Sequence, residues 1–141
     1  VRPSNLYGKR QFPEKLIPKA VRYFKLGKKM PIHANGSPKR SWLHVEDCAQ
    51  AIVTVLESGS PNTVYNVAGN TEASVQQIVG TIAKFFTPNP CAIDTSYERA
   101  GLDTRYCVSD VPLRALGWIP KGDFWNDLPG LVASERQLFR W

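Results

Sequence analysis

The chain has 141 residues, of which 43% are hydrophobic and 21% charged, with four Trp and six Phe. This content is enough to bury the core of one domain, so we expect a globular protein and exclude a disordered one. Eighteen Lys and Arg against 12 Asp and Glu give a net charge of +6, which favours an anionic partner, either a phosphate compound or a nucleic acid.

The first third of the chain predicts a strand end, a helix and two short strands. Val1 followed by the turn formers of residues 3–8 is typical of a strand whose beginning is missing, so we expect a fragment. Residues 12–14 (FPE) are typical of a helix start, and Gly27 ends the helix. Its apolar residues at helical spacing are Leu16, Ile17, Ala20, Val21 and Phe24. Residues 30–33 and 42–45 are predicted strands.

The middle of the chain predicts two helices around a strand. Glu46 and Asp47 begin the first helix, whose predicted apolar face contains Ala51, Ile52, Val55 and Leu56. Residues 63–67 form a strand by their β-branched and aromatic content. Ser74 then caps a helix whose inward residues are Val75, Ile78, Val79 and Ile82.

The last third predicts strands at 91–95 and 105–108, a short helix at 109–117 and a terminal helix at 123–141. The apolar turn 118–120 (WIP) is expected to pin the short helix, and Pro129-Gly130 is expected to break the terminal one. Strands alternating with helices predict an α/β fold in which helices cover small, partly parallel sheets.

No apolar run approaches the roughly 20 residues that cross a bilayer, and the start VRPSNLYG lacks the apolar stretch of a signal peptide. We therefore expect a soluble, cytoplasmic protein without a membrane partner. The cysteines, Cys48, Cys91 and Cys107, match neither a disulfide framework nor a C-x-x-C metal motif, and are expected to be buried, reduced thiols.

Few residues carry chemistry. The sequence has no Gly-rich loop that follows a strand and opens a helix, and no G-x-S-x-G motif. His33 and His44 lack carboxylate neighbours at metal spacing, so no metal site and no catalytic residue are predicted. The remaining feature is a set of cations in loops, namely Lys15, Arg40, Arg99 and Arg105. Arg beside a loop Gly suits bidentate contact with phosphate, although composition alone favours solvated surface charges.

Seven segments follow one another in a fixed order: 4–8 (SNLYG), 11–18 (QFPEKLIP), 30–33 (MPIH), 40–47 (RSWLHVED), 65–67 (YNV), 98–106 (ERAGLDTRY) and 116–118 (LGW). In this order they resemble the carboxyl-terminal part of the nucleotide-sugar 4,6-dehydratases, the extended short-chain dehydrogenases typified by dTDP-glucose 4,6-dehydratase. The resemblance runs from about residue 2 to about residue 128, and PEKLIP is its most specific segment.

The resemblance implies the end of a Rossmann-domain strand and its turn at residues 1–8, and a nucleotide-sugar-binding C-terminal lobe at residues 9–141. The whole enzyme would be a homodimer that binds NAD in a domain upstream of this sequence and converts dTDP-glucose or UDP-glucose to its 4-keto-6-deoxy form. The family's Tyr-x-x-x-Lys pair and acid–base carboxylates also lie upstream, so the chain alone is expected to be inert.

The resemblance further implies eight substrate-binding residues. They are Asn5 near the diphosphate, Lys15 and Leu16 against the nucleotide, Pro31 and His33 beside the base, Arg40 and Arg99 on the diphosphate, and Ser74 near the nucleoside. His33 stands where dTDP-sugar enzymes more often have Tyr and resembles the UDP-glucose branch, so the base stays open.

Two alternatives remain. A nucleotide-sugar epimerase or decarboxylase of the same superfamily would share the lobe. A non-enzymatic basic module would bind nucleic acid, but the cations are dispersed among loops without interleaved aromatics, so we expect no nucleic-acid partner. The lobe is also expected to expose apolar surface where the cofactor domain would pack, and to self-associate through it.

Overall fold

The computed structural model describes residues 1–86, 93–97, 101 and 103–137. Its strands are β1 (Arg2–Pro3), β2 (Asn5–Tyr7), β3 (Met30–His33), β4 (Lys39–His44), β5 (Asn66–Val67), β6 (Thr71–Ser74), β7 (Ile93–Tyr97) and β8 (Arg105–Tyr106). Its helices are α1 (Leu16–Lys25), α2 (Val45–Ser58), α3 (Val75–Ala83), α4 (Val111–Arg114) and α5 (Phe124–Gln137), with short 3-10 turns at Ala34–Gly36 and Lys84–Phe86.

Three small sheets organise the described residues. In the largest, β4 pairs with β2 and β8 in parallel and with β6 in antiparallel orientation. The other two are parallel pairs, β1 with β5 and β3 with β7. The predicted α/β class with partly parallel sheets is confirmed.

The largest core lies between the sheet of β4 and helices α1, α3 and α5. Ala20 and Val21 of α1 and Ile78 of α3 are fully buried there, against Trp42 of β4 and Phe124 of α5. A second cluster packs around α2 and the turn after α4, and contains Leu43, Cys48, Ala51, Tyr65, Val67, Leu113 and Trp118.

Helices α1 and α3 follow the predictions closely. The buried residues of α1 include four of the five predicted positions, Ile17, Ala20, Val21 and Phe24, whereas Leu16 is half-buried. In α3, Ser74 forms a capping box with Gln77: the Gln77 amide donates to Ser74 Oγ at 3.1 Å, and the Ser74 amide donates to Gln77 Oε1 at 2.8 Å. The predicted cap is confirmed.

The predicted apolar face of α2 is wrong in half of its members. Ala51 is fully buried, but Ile52 is 43% exposed and Leu56 is 80% exposed. The helix instead buries Asp47 and Cys48 on the side that packs against the second cluster. Because α2 is apolar on two sides, hydrophobic periodicity could not select the side that packs within this chain.

The predicted break at Pro129 is also wrong, since α5 runs through it. Leu128, Leu131 and Val132 are buried on both sides of the proline. This burial offsets the lost backbone hydrogen bond. The predicted burial of the cysteines is wrong for Cys107, which is exposed, whereas Cys48 is buried. Trp118 packs with Leu113 of α4 in the second cluster, as expected of the turn that pins this helix, although Ile119 is 66% exposed. Cys91 lies outside the described residues.

Several strand and helix bounds also differ from the predictions. β4 begins at Lys39 and ends before Val45, β5 contains only Asn66–Val67, and β8 ends at Tyr106. α4 ends at Arg114, and its cap residue Asp110 makes no side-chain capping hydrogen bond. Strand and helix ends depend on partner strands and tertiary contacts, which the residue pattern alone does not contain.

Candidate functional site

A cleft of about 540 Å³ opens between the start of α1, strand β3 and the start of β4. Four of the eight predicted substrate-binding residues line it, namely Leu16, Pro31, His33 and Arg40. They come from three separate elements of the chain. The fold thus brings together residues that the sequence separates by up to 24 positions.

Strand β3 supplies one wall of the cleft. Met30 and Ile32 are buried, whereas Pro31 is half-buried and His33 is exposed. This alternation is the period of a strand that packs one face on the core. Pro31 pairs with Asp94 of β7, and the register shifts between Pro31 and His33.

The opposite wall comes from α1. Leu16, Lys19 and Tyr23 all line the cleft, and they are spaced by three and four residues, so they share one helix face. Lys19 Nζ lies 5.8 Å from the centre of the Tyr23 ring. Sequence reasoning missed Lys19 and Tyr23, although their spacing from Leu16 was a signal that could have found them.

Gly36 fixes the loop between β3 and β4. Its φ is +71°, and a Cβ there would lie 2.7 Å from Ile32 Cδ1 and 2.8 Å from the Gln76 amide nitrogen. A side chain is therefore excluded by both the backbone conformation and the close approach of α3. This packing holds Pro38, which lines the cleft, near the start of α3.

Arg40 provides the cationic group at the β4 side of the cleft. Its Nη1 donates to the Lys39 carbonyl at 2.8 Å and to the Asp103 carbonyl at 3.0 Å. Guanidinium has five N–H donors, and both of these bonds use one nitrogen. With respect to the described residues, the arrangement fixes the guanidinium and leaves further N–H donors that suit the oxygens of an anion.

Arg105 is committed to a carboxylate. Its Nε and Nη2 donate to the two oxygens of Glu72, both at 2.7 Å. The hydrogen bonds from Arg105 lower the pKa of Glu72, and the same bonds raise the pKa of Arg105. The sequence grouped Arg105 with cations that address a phosphate, but the structure places it in an ion pair.

Three other predicted residues that the structure describes do not line the cleft. Asn5 is half-buried in β2 opposite Trp42, and Lys15 is exposed immediately before α1. Ser74 is 8% exposed and its hydroxyl caps α3, next to Val75, which does line the cleft. Arg99 lies outside the described residues.

A separate polar cluster joins α2 to the turn before α5. The Asp47 carboxylate accepts hydrogen bonds from the amides of Lys121 at 3.0 Å and Gly122 at 2.8 Å. The Asp47 carbonyl accepts one from Trp118 Nε1 at 3.1 Å. Asp47 is 7% exposed, so its bonds hold this turn in place from the interior.

The described residues contain neither a cluster of metal ligands nor a membrane-spanning helix. In the part of the chain that the structure describes, no three His, Cys, Asp or Glu side chains come together in a group that could hold a metal ion. Within the same residues, no helix combines the length and apolar character needed to cross a membrane.

Comparison with known proteins gives both sequence and fold matches. The model of the NAD dependent epimerase/dehydratase family matches residues 1–68. A trifunctional UDP-glucose 4,6-dehydratase/UDP-4-keto-6-deoxy-D-glucose 3,5-epimerase/UDP-4-keto-L-rhamnose-reductase of Arabidopsis thaliana is 42% identical over 127 residues, which are 89% of this chain and 19% of that protein. The dTDP-glucose 4,6-dehydratase of Streptomyces griseus is 35% identical over 141 residues, covering 99% of this chain and 43% of that protein.

The fold match extends over nearly the whole chain. The structure of dTDP-glucose 4,6-dehydratase from Streptomyces venezuelae with NAD bound has a TM-score of 0.89 at 29% identity, covering 97% of this chain and 43% of that one. The chain therefore spans less than half the length of each of these relatives. By sequence and by fold, it belongs to the NAD dependent epimerase/dehydratase family.

Proposed function

We propose that the chain is the nucleotide-sugar-binding part of an NAD-dependent 4,6-dehydratase, whose whole enzyme converts dTDP-glucose or UDP-glucose to the 4-keto-6-deoxy sugar nucleotide. The observation that carries the proposal is the cleft in which Leu16, Pro31, His33 and Arg40 come together. Relatives at 35% and 42% identity are named as dehydratases of these two nucleotide sugars, which supports the same reaction class.

In this proposal Arg40 binds the diphosphate, and Pro31 and His33 flank the base, with Leu16 beside the nucleotide. A diphosphate carries about two negative charges, and a hydrogen bond to a charged group contributes roughly 1.5–3 kcal/mol. Lys19 adds a second cation to the cleft, whereas Glu14 is the acidic member of its lining. Asn5, Lys15, Ser74 and Arg99 are retained as further proposed substrate contacts.

We further propose that residues 1–8 complete a Rossmann domain, that residues 9–141 form the substrate lobe, and that NAD is bound by residues outside this sequence. The chain has no G-x-G-x-x-G turn, so its own residues do not fit a dinucleotide. Without that domain the chain would have no dehydratase activity. The whole enzyme is proposed to be a cytoplasmic homodimer.

The exposed apolar side of α2 supports the proposed division into a Rossmann domain and a substrate lobe. Ile52, Val53 and Leu56 are exposed at helical spacing, at 43%, 43% and 80%. A helix that is apolar on two sides is normally covered on both. A second domain packed on α2 would account for these residues.

An epimerase of the same family is the second candidate within this fold. Solved UDP-glucuronic acid 4-epimerase of Bacillus cereus matches with a TM-score of 0.84 but only 19% identity, so it shows the fold alone. The higher identity of the dehydratases favours the dehydratase. The nucleic-acid alternative is disfavoured because Arg40 and Lys19 lie in a cleft rather than along a basic stripe.

Calorimetric titration of the chain with dTDP, UDP and a short DNA duplex tests the proposal. We expect one of the nucleotides to bind, and Arg40→Ala to weaken binding by about tenfold, which corresponds to about 1.4 kcal/mol. Arg114→Gln is the matched control, because Arg114 does not line the cleft. Its Nε instead lies 2.9 Å from Asp110 Oδ1. Binding of DNA alone, with affinity falling steeply with salt, would contradict the proposal.

The base is tested separately by His33→Tyr. If His33 flanks the base, this exchange should shift the preference from UDP toward dTDP while leaving diphosphate contacts unchanged. A ratio of UDP to dTDP affinity equal to that of the unaltered chain would remove His33 from the base site.

The proposed contact of Ser74 needs a variant that separates capping from binding. Ser74→Ala removes the cap and should lower the free energy of unfolding by about 1 kcal/mol. Ser74→Asp keeps an acceptor for the Gln77 amide and places a carboxylate near the proposed nucleotide. A loss of affinity in Ser74→Asp without a loss of stability would support the contact, and unchanged affinity would count against it.

A further inference from the structure

We propose that the Glu72–Arg105 ion pair is a positioning element for Arg40: it holds β8 against β4 and so fixes the guanidinium that faces the cleft. The identity of the anion bound there rests on the proposed function. Neither Glu72 nor Arg105 lines the cleft, so they would act through the strand and not on the ligand.

The pair crosses the central strand of the sheet. Glu72 of β6 lies opposite Ser41, and Arg105 of β8 lies opposite Lys39. A strand has two edges, and β6 occupies one of them along residues 39–42. β8 must therefore share the other edge with β2, and the two side chains meet across β4.

The guanidinium of Arg105 and the carboxylate of Glu72 are both planar, and each uses two atoms to bond the other. Two parallel N–H···O bonds of 2.7 Å join the guanidinium to the carboxylate, which fixes the orientation of both groups. The Arg105 side chain is 63% exposed and that of Glu72 is 28% exposed. Exposed ion pairs add little to global stability, so a local geometric role is the one that this arrangement suits.

Among the described residues, β8 makes few other contacts. It has two residues, and besides its ladder the Lys39 amide donates to the Thr104 carbonyl at 3.0 Å. A two-residue strand at a sheet edge is held by a small number of bonds, so the two Arg105–Glu72 bonds are a large share of its attachment.

The residues just before β8 also contact Arg40. Asp103, two residues before Arg105, accepts a hydrogen bond from Arg40 Nη1 at 3.0 Å. Strand alternation turns Arg40 away from the face shared by Lys39 and Ser41. If β8 shifts or detaches, the Asp103 carbonyl moves with it and Arg40 loses the acceptor that orients it.

Hydrogen exchange tests the structural half of the inference without any ligand. In Glu72→Gln the Lys39 amide should exchange about tenfold faster, because its acceptor Thr104 is no longer held. Reversing the charges with Glu72→Arg and Arg105→Glu together should restore slow exchange. Unchanged exchange at Lys39 in Glu72→Gln would overturn the inference.

Nucleotide titration tests the functional half. Glu72→Gln should weaken binding of the preferred diphosphate by about fivefold, and should have no further effect in a chain that also carries Arg40→Ala, because both changes act through one guanidinium. Arg114→Gln again serves as the control, with unchanged affinity.

The outcomes separate the two proposals. If the unaltered chain binds nucleotide and Arg40→Ala weakens it, but Glu72→Gln does not, only the positioning role fails. An effect of Glu72→Gln that persists unchanged in the Arg40→Ala background also overturns it, because the loss would then bypass Arg40. If the unaltered chain binds neither UDP nor dTDP, the proposed function fails and the nucleotide part of this inference fails with it.

Discussion

The Tyr7 hydroxyl donates a hydrogen bond of 2.8 Å to Asp127 Oδ2, joining the last residue of β2 to the first turn of α5 across 120 positions of the chain. Tyr7 is 2% exposed, and its ring meets those of Phe124 and His44 edge to face at 4.8 and 5.0 Å. This contact ties the start of the described chain to its last helix.

Tyr7→Phe should lower the free energy of unfolding by about 1–2 kcal/mol, because it removes a hydrogen bond to a charged acceptor and leaves the ring packing intact. Urea denaturation followed by tryptophan fluorescence measures the change. Tyr106→Phe is the matched control, since Tyr106 is 46% exposed and its loss of a hydroxyl should have no effect. Equal stability of both variants would contradict the role of the Tyr7 hydroxyl.

The stability of the chain should fall at high pH through Tyr7. Burial, together with the hydrogen bond to Asp127 and nearby carboxylates, raises the pKa of Tyr7 above its ordinary value of about 10. Because the pKa of Tyr7 is higher in the folded than in the unfolded chain, the neutral side chain contributes to stability. This contribution is complete at pH values below the pKa of the unfolded chain. That contribution is lost progressively as pH rises above about 10 toward the folded-state pKa.

Tyrosinate absorbance and denaturation midpoints measured from neutral pH to above pH ~10 check this expectation. Of the five tyrosines, Tyr7 should ionise only as the fold is lost. In Tyr7→Phe the alkaline loss of stability should be smaller than in the unaltered chain. An identical pH dependence in the two would show that Tyr7 ionises freely.

Asp47→Ala should destabilise the fold by about 3 kcal/mol, because it leaves the amides of Lys121 and Gly122 without their acceptor. Denaturant unfolding of this variant measures the loss. Glu46→Ala is the control on the same helix turn, because Glu46 is exposed. Gly122→Ala should also destabilise, since a Cβ there would lie 2.7 Å from His44 Cβ and 2.8 Å from the Tyr7 hydroxyl.

The exposed side of α2 should promote self-association of the isolated chain. Leu56→Lys places a charge at the 80% exposed position and should shift the light-scattering mass toward a monomer. Ser58→Lys makes the same change of charge at an exposed residue on the opposite side of the helix, and should leave association unchanged. A monodisperse monomer at high concentration for the unaltered chain would contradict the expectation.

The sequence predicted α1 and α3 well because each has one apolar face and a local signal for its start. In α3 the Ser74–Gln77 capping box is formed by residues three apart, so the cap can be predicted from residues that are close in the sequence. The prediction failed in α2 and α5 for a different reason. The elements that pack against each helix determine which apolar side of α2 is buried and whether α5 continues through Pro129.

The candidate site was also predicted only in part. Segment order identified the family and picked out Leu16, Pro31, His33 and Arg40, which share one cleft. Whether a cation is available to a ligand was not readable from the sequence. Arg40 and Arg105 both occur near loops, yet one lines the cleft and the other is paired with Glu72 on a strand that is 33 residues away in the chain.

Capping residues, hydrophobic periodicity and motif order were enough to predict the α/β class, helices α1 and α3, the family and four residues of one cleft, because these signals are present in the order of residues along the chain. The folded chain was needed to show which side of α2 is buried, that Lys19 and Tyr23 join the cleft, and that Arg105 pairs with Glu72. These features depend on contacts between distant strands and helices, because burial and ion pairing are set by three-dimensional neighbours.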